Sequence, residues 1–139
     1  MTACVSRRHL LLAAPAWALL PEARASDAAM REALRAWAGG DPPTGPLKIE
    51  MAALVENGNA VPVRVAAQEP VSALALFTPL NPEPEVIHVS LSPDSPRFEF
   101  STRMRLARSQ RIVAAARTAD GRCWQAGLEV IVTLAACIE

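Results

Sequence analysis

Met30, Ala33, Leu34 and Trp37 recur at i, i+3, i+4 and i+7, the spacing that collects apolar side chains on one face of a helix. Ser26-Asp27 offers an N-cap before them, and Gly39-Gly40 followed by Pro42-Pro43 stops the pattern. These positions predict a short amphipathic helix within residues 26–40. Its Trp37 needs cover, from its own domain or from a partner.

From Leu47 onward the period changes from that of a helix to that of strands, with short alternating runs broken by proline, glycine and asparagine. Leu47, Ile49 and Met51 point one way in the first run. Asn57-Gly58-Asn59 turns the chain into a second run, Val61 to Val65, where Pro62 argues for an edge position because it lacks a backbone donor. Val71 to Thr78 is a third run, stopped by the prolines at 79, 82 and 84. Glu85 to Leu91 is the fourth. In the fifth, Phe98, Phe100, Thr102, Met104 and Leu106 alternate with Arg97, Glu99, Ser101, Arg103 and Arg105, one buried face and one wet face. Gln110 to Thr118 is the sixth, and Asp120-Gly121 is a hairpin signal leading to the seventh, Arg122 to Leu134. The pattern predicts an all-β domain over residues 47–134, an immunoglobulin-like seven-stranded β-sandwich preceded by one short helix.

The 139 residues suit one domain, and an apolar share of 51% against 20% charged excludes a disordered chain. Arg7-Arg8, the apolar run Leu10 to Leu20 and Ala23-Arg24-Ala25 together predict a cleavable export signal over residues 1–25. Ser6-Arg7-Arg8-His9-Leu10-Leu11 looks like a twin-arginine signal, with an ordinary secretory signal as the alternative. Export would place the mature protein in the periplasm. No apolar run reaches the roughly 18 residues that span a bilayer, so a membrane is not an expected partner. Without residues 1–25 the chain carries 11 basic and 13 acidic residues, and nucleic acid is not an expected partner either.

Chemistry-bearing residues are few. Cys123, Cys137 and His88 are scattered rather than clustered, which predicts no metal site and no metal or organic cofactor. His88 lies in a strand and reads as a satisfied or exposed strand residue rather than a catalytic one. If the last run is one extended strand, the two cysteines stand roughly 45 Å apart, against about 6 Å between bridged Cα atoms. An internal disulfide is therefore not expected. Cys123 reads as a small packed residue, whereas Cys137 reads either as an available thiol on a C-terminal arm, residues 135–139, or as a small apolar residue closing a strand. An available thiol in an exported protein also allows disulfide pairing between chains. Seven of the 11 basic residues fall between Arg97 and Arg122, forming either a solvated sheet face or an anion-attracting surface near Cys137.

Several segments resemble one family in order along the chain: Glu56-Asn57-Gly58-Asn59-Ala60-Val61-Pro62-Val63, Asn81-Pro82-Glu83-Pro84, Ser101-Thr102-Arg103-Met104-Arg105-Leu106-Ala107, and a last strand ending in Val132-Thr133 before a terminal cysteine. That family is SoxY, the sulfur-carrier proteins of bacterial thiosulfate oxidation. The resemblance implies an immunoglobulin-like sandwich that pairs with a SoxZ-like β-sandwich subunit as a heterodimer. It implies that a haem enzyme loads thiosulfate, and that a manganese hydrolase and a molybdenum dehydrogenase then act on the bound intermediate. The carrier itself is no enzyme, and Cys137 matches the sulfur-bearing cysteine. The family's glycines around that cysteine are replaced here by Ala135-Ala136 and Ile138-Glu139. Because alanine and isoleucine restrict the backbone more than glycine does, the alternative is a diverged carrier-like binding module that keeps the partner-binding sandwich without carrier turnover.

Overall fold

Ser26 opens helix α1 (Asp27–Ala38) by accepting the Ala29 N–H on its hydroxyl at 3.1 Å, which satisfies one of the orphan donors of the first turn. Gly39 closes the helix in left-handed backbone, φ 77°, and donates its N–H to the Arg35 carbonyl at 2.8 Å. The computed structural model describes residues 26–133. The expected export signal and Cys137 lie outside the described residues.

Eight strands follow: β1 (Leu47–Glu50), β2 (Leu54–Val55), β3 (Val61–Ala67), β4 (Ala73–Phe77), β5 (Glu85–Ser90), β6 (Glu99–Met104), β7 (Gln110–Arg117) and β8 (Cys123–Val132). They form a three-stranded sheet in the order β1-β3-β6 and a five-stranded sheet in the order β2-β8-β7-β4-β5. The two-sheet all-β architecture is the one the alternation predicts, with one strand more than the expected seven. The addition is β2, whose two residues are too few to show a period. It pairs in parallel with the end of β8, Leu54 opposite Ile131 and Val55 opposite Val132.

Pro62 is not on an edge strand, because β3 is the middle strand of its sheet. It is tolerated there because β1 pairs only with Arg64 to Ala67, so the β1 side of β3 is open at Pro62. Only the β6 side is paired, with Pro62 opposite Arg103. The missing N–H therefore interrupts no ladder on the open side.

Alternation sorts β4 and β7 between two cores. Leu74, Leu76, Ile112, Ala114 and Ala116 face the three-stranded sheet and join Val63, Val65, Met104, Leu106 and Val130. Ala73, Ala75, Phe77, Val113 and Ala115 face outward and are covered by Met30, Leu34 and Trp37 of α1. The helix thus finds its cover on its own domain. The run of small residues at 114–116 lets both layers approach β7 closely.

Trp37 anchors the helix. Its indole N–H donates to His88 Nδ1 at 3.3 Å, its ring meets Phe77 edge-on at 6.2 Å, and the Arg117 guanidinium lies 4.3 Å from its centroid. Trp37→Phe keeps an apolar ring but deletes the donor and part of the contact area. The expected cost is about 1–2 kcal/mol of stability, read by urea denaturation. An unchanged midpoint would mean that this cluster does not hold the helix.

The outer face of the three-stranded sheet carries an ion-pair network: Arg64 pairs with Glu50 at 2.9 Å and with Glu99, and Lys48 reaches Glu50 at 2.9 Å. Lys48, and after it Arg64, hold the Glu50 carboxyl below its ordinary value of 4.5. A carboxyl that is lowered on folding stabilises the fold above its unfolded value, and that contribution fades as pH falls through the folded value. The pairs are exposed, so the effect is small. Glu50→Gln should lower the denaturation midpoint slightly at pH 7, and the gap to wild type should close in acid well below pH 4.5. A gap that widens in acid would contradict the assignment.

Candidate functional site

The last described strand ends in a clamp made of residues from three parts of the chain. On one side of β8, Ile131 N–H donates to the Ala53 carbonyl at 2.8 Å and Thr133 N–H to the Val55 carbonyl at 2.9 Å. On the other, β7 has run out, since Gln110 pairs with Val130 and no residue of β7 reaches Val132. The Ser109 hydroxyl takes its place: it accepts the Val132 N–H at 2.9 Å and donates to the Val132 carbonyl at 3.5 Å. The backbone is thereby fixed through Thr133, four residues before Cys137.

Two loops close over this strand end. Asn57 accepts the Asn59 N–H on its side chain at 3.1 Å, forming an Asx turn that brings Gly58 against the β6–β7 connection. There Leu106 N–H donates to the Gly58 carbonyl at 2.8 Å. A Cβ on Gly58 would stand 1.9 Å from the Leu106 carbonyl oxygen, so only glycine permits the approach. The result is a groove of about 430 Å³ lined by Glu56 to Asn59, Arg105 to Ala107, Val132 and Thr133. Two segments distant in sequence, Glu-Asn-Gly-Asn and Arg-Leu-Ala, thus meet at the root from which the chain continues to Cys137.

Cys123 sits at the far end of β8, paired with Arg117 next to the hairpin. It is half-buried, packs against the helix-facing core, and places Sγ 3.7 Å from the Gly121 carbonyl. His88 is a strand residue on the outer face of β5, where it accepts the Trp37 N–H and has Glu85 Oε1 at 3.4 Å from Nδ1. No group of three or more His, Cys, Asp or Glu side chains converges among the described residues.

The arginines between 97 and 122 do not form one patch. Arg97 pairs with Glu99 at 3.6 Å, Arg111 with Glu129 at 3.2 Å, and Arg122 with Asp120 at 3.1 Å, while Arg117 lies over Trp37. Asp120 is held below its ordinary value of 3.8 by the Thr118 hydroxyl and then by Arg122, which locks the hairpin turn. Arg103, Arg105 and Arg108 make no ion pair among the described residues, and Arg105 lines the groove at the strand end. Glu56 lines that groove as well, and Arg103 lies beside Arg64 on the three-stranded sheet, so Arg105 stands at the root of the Cys137 segment with an acidic residue beside it.

A larger cavity, about 590 Å³, lies between α1 and the β7–β8 face. Its rim carries both signs of charge, Arg31 and Arg111 with Asp41 and Glu129, so it selects for no single ligand charge. Ser109, the length of β2 and the closeness at Gly58 were not anticipated from sequence. The one signal available was the glycine between two asparagines.

Residues 34–137 match the family model described as "Sulfur oxidation protein SoxY". Among solved structures, the sulfur carrier protein SoxY from Chlorobium limicola f thiosulfatophilum is similar at 31% identity and TM-score 0.68, over 78% of this chain and 100% of that one. Superoxide reductase (neelaredoxin) from Ignicoccus hospitalis is similar at 20% identity and TM-score 0.57, over 65% and 82%, a likeness of fold alone. No curated protein matches the sequence.

Proposed function

The chain belongs to the SoxY family of sulfur oxidation proteins, and from that premise we propose that it is a periplasmic sulfur carrier, exported by the twin-arginine route, whose Cys137 holds sulfur intermediates while separate enzymes act on them. The observation that carries this reading is the clamp at the end of β8. Hydrogen bonds to the Ala53 and Val55 carbonyls and to the Ser109 hydroxyl hold the backbone firmly up to Thr133, four residues before Cys137. A thiol so placed extends at most about 14 Å from a rigid base. That suffices to enter a partner's cleft while the folded domain stays outside.

Thiosulfate suits such a thiol. Joining Cys137 Sγ to the outer sulfur of thiosulfate makes one S–S bond, releases the thiol proton and yields two electrons, which a haem enzyme accepts. A manganese hydrolase and a molybdenum dehydrogenase would then work on the bound group, and a SoxZ-like sandwich would complete a heterodimer. Arg105 in the groove at the strand end contributes a favourable charge toward the anionic adduct, opposed by Glu56 in the same groove.

Intact-mass measurement after incubation with thiosulfate and the loading haem enzyme tests the reading. The mature protein should gain one adduct. A protein that binds its SoxZ-like subunit but gains none would instead be the diverged binding module.

A further inference from the structure

An asparagine side chain is open to attack by the backbone nitrogen of the next residue, most readily when that residue is glycine, because no Cβ then hinders the approach. The chain has three asparagines, of which Asn57 alone precedes a glycine; Asn59 is followed by Ala60 and Asn81 by Pro82. A proline nitrogen has no proton to lose, so Asn81 does not react in this way.

The fold leaves Asn57 ready for that attack. Its side chain is exposed, and the Gly58 N–H makes no hydrogen bond among the described residues, so the attacking nitrogen is unengaged. Asn57 Oδ1 accepts the Asn59 N–H at 3.1 Å, a donor placed where negative charge develops as the nitrogen adds to Cγ. Glycine is also required at 58, since a Cβ there would collide with the Leu106 carbonyl oxygen. Asp120-Gly121, the other side-chain carbonyl placed before a glycine, is held differently. Gly121 donates its N–H to the Thr118 carbonyl at 3.1 Å, and the Asp120 carboxylate is engaged by the Thr118 hydroxyl and by Arg122.

We propose that Asn57 is a self-modification site that converts to an isoaspartyl residue, with water as the co-reactant. The Gly58 nitrogen gives up its proton and bonds to Asn57 Cγ; the Cγ–Nδ2 bond breaks, and the amide nitrogen leaves as ammonia from a cyclic imide. Water then opens the ring. Opening at the main-chain carbonyl leaves a carboxylate there and reroutes the backbone through the side chain, whereas opening at Cγ leaves an ordinary aspartate. Both products put a new carboxylate beside Glu56 in the groove that Arg105 lines. The isoaspartyl product also lengthens the turn that holds the Gly58 carbonyl on the Leu106 N–H at 2.8 Å, so the loop lifts away from the end of β8. The reaction is independent of what Cys137 carries.

The test holds the folded full chain in warm, mildly alkaline buffer and follows it by peptide mass fragmentation and by labelling with an isoaspartyl methyltransferase. Isoaspartate should accumulate at residue 57 while Asn59 and Asn81 stay intact. Asn57→Ser keeps a hydroxyl that accepts the Asn59 N–H, so the turn survives, but it offers no carbonyl to attack and should lose the label entirely. Deuterium exchange at the Leu106 amide should accelerate in aged wild type and not in aged Asn57→Ser. Asn57 that stays intact in the folded protein would overturn the proposal, and its conversion in urea would then show the fold protecting it. Equal conversion at Asn59, label retained by Asn57→Ser, or Leu106 exchange that ageing leaves unchanged would overturn it as well.

Discussion

Cys137→Ser is expected to abolish adduct formation completely, whereas Cys123→Ser should load at the wild-type rate. The two thiols differ because β8 is a single unbroken strand from Cys123 to Val132. Nine residue steps at about 3.3 Å put Cys123 roughly 30 Å from the end that carries the arm. Cys123 is moreover half-buried against the helix-facing core. The same lengths exclude a bridge between the two. From Val132 to Cys137 the chain reaches at most about 18 Å, which leaves more than the ~7 Å that a disulfide tolerates between Cα atoms while β8 is intact. Intact mass under non-reducing conditions should therefore show no internal disulfide. An adduct that persists in Cys137→Ser, or one lost in Cys123→Ser, would overturn the assignment.

Those lengths rest on an element that the sequence made plain. Alternation and the Asp120-Gly121 turn announced one long last strand, and its observed bounds fall within the expected ones. Helix α1 was equally legible, because a cap, a stop and an apolar face all act over a few neighbouring residues. Non-local features were not. The pairing of β2 depends on where β8 ends in space, and the position of Pro62 depends on how short β1 is. The arginines between 97 and 122 are close in sequence, yet strand alternation and the hairpin distribute them over both sheets. Acidic neighbours from other strands then neutralise Arg97, Arg111 and Arg122, or Trp37 covers Arg117. That Arg103, Arg105 and Arg108 are left without an ion pair among the described residues became visible only once the partners of the others were known. Of the candidate site itself, the cysteine was legible because its place in the chain is one-dimensional. Its clamp was not, since Ser109, Val55 and Val132 are brought together by the fold alone.

Gly58→Ala tests the loops that close over that clamp, through their tight backbone contact. The substitution adds one methyl group, but that group would sit 1.9 Å from the Leu106 carbonyl oxygen, and both partners are backbone, so no side chain can rotate aside. Either the Asn57–Asn59 turn or the Arg105–Ala107 segment must move, and the Leu106 N–H to Gly58 carbonyl bond stretches or breaks as it does. Overpacking of this kind costs about 1–3 kcal/mol, and the lost hydrogen bond adds about 1 kcal/mol. The expected loss is about 2–4 kcal/mol by chemical denaturation. Gly40→Ala is the matched control, since a Cβ there meets nothing within 4 Å and its cost should be slight. Because the displaced loops form the groove from which Thr133 emerges, Gly58→Ala should also slow loading of Cys137 at temperatures where the protein remains folded. A variant as stable as wild type would show that the loops give way freely and that the strand end is not rigidly held. A destabilised variant that loads at the full rate would separate the two roles, leaving Gly58 to the fold and the positioning of the thiol to Ser109 and β2.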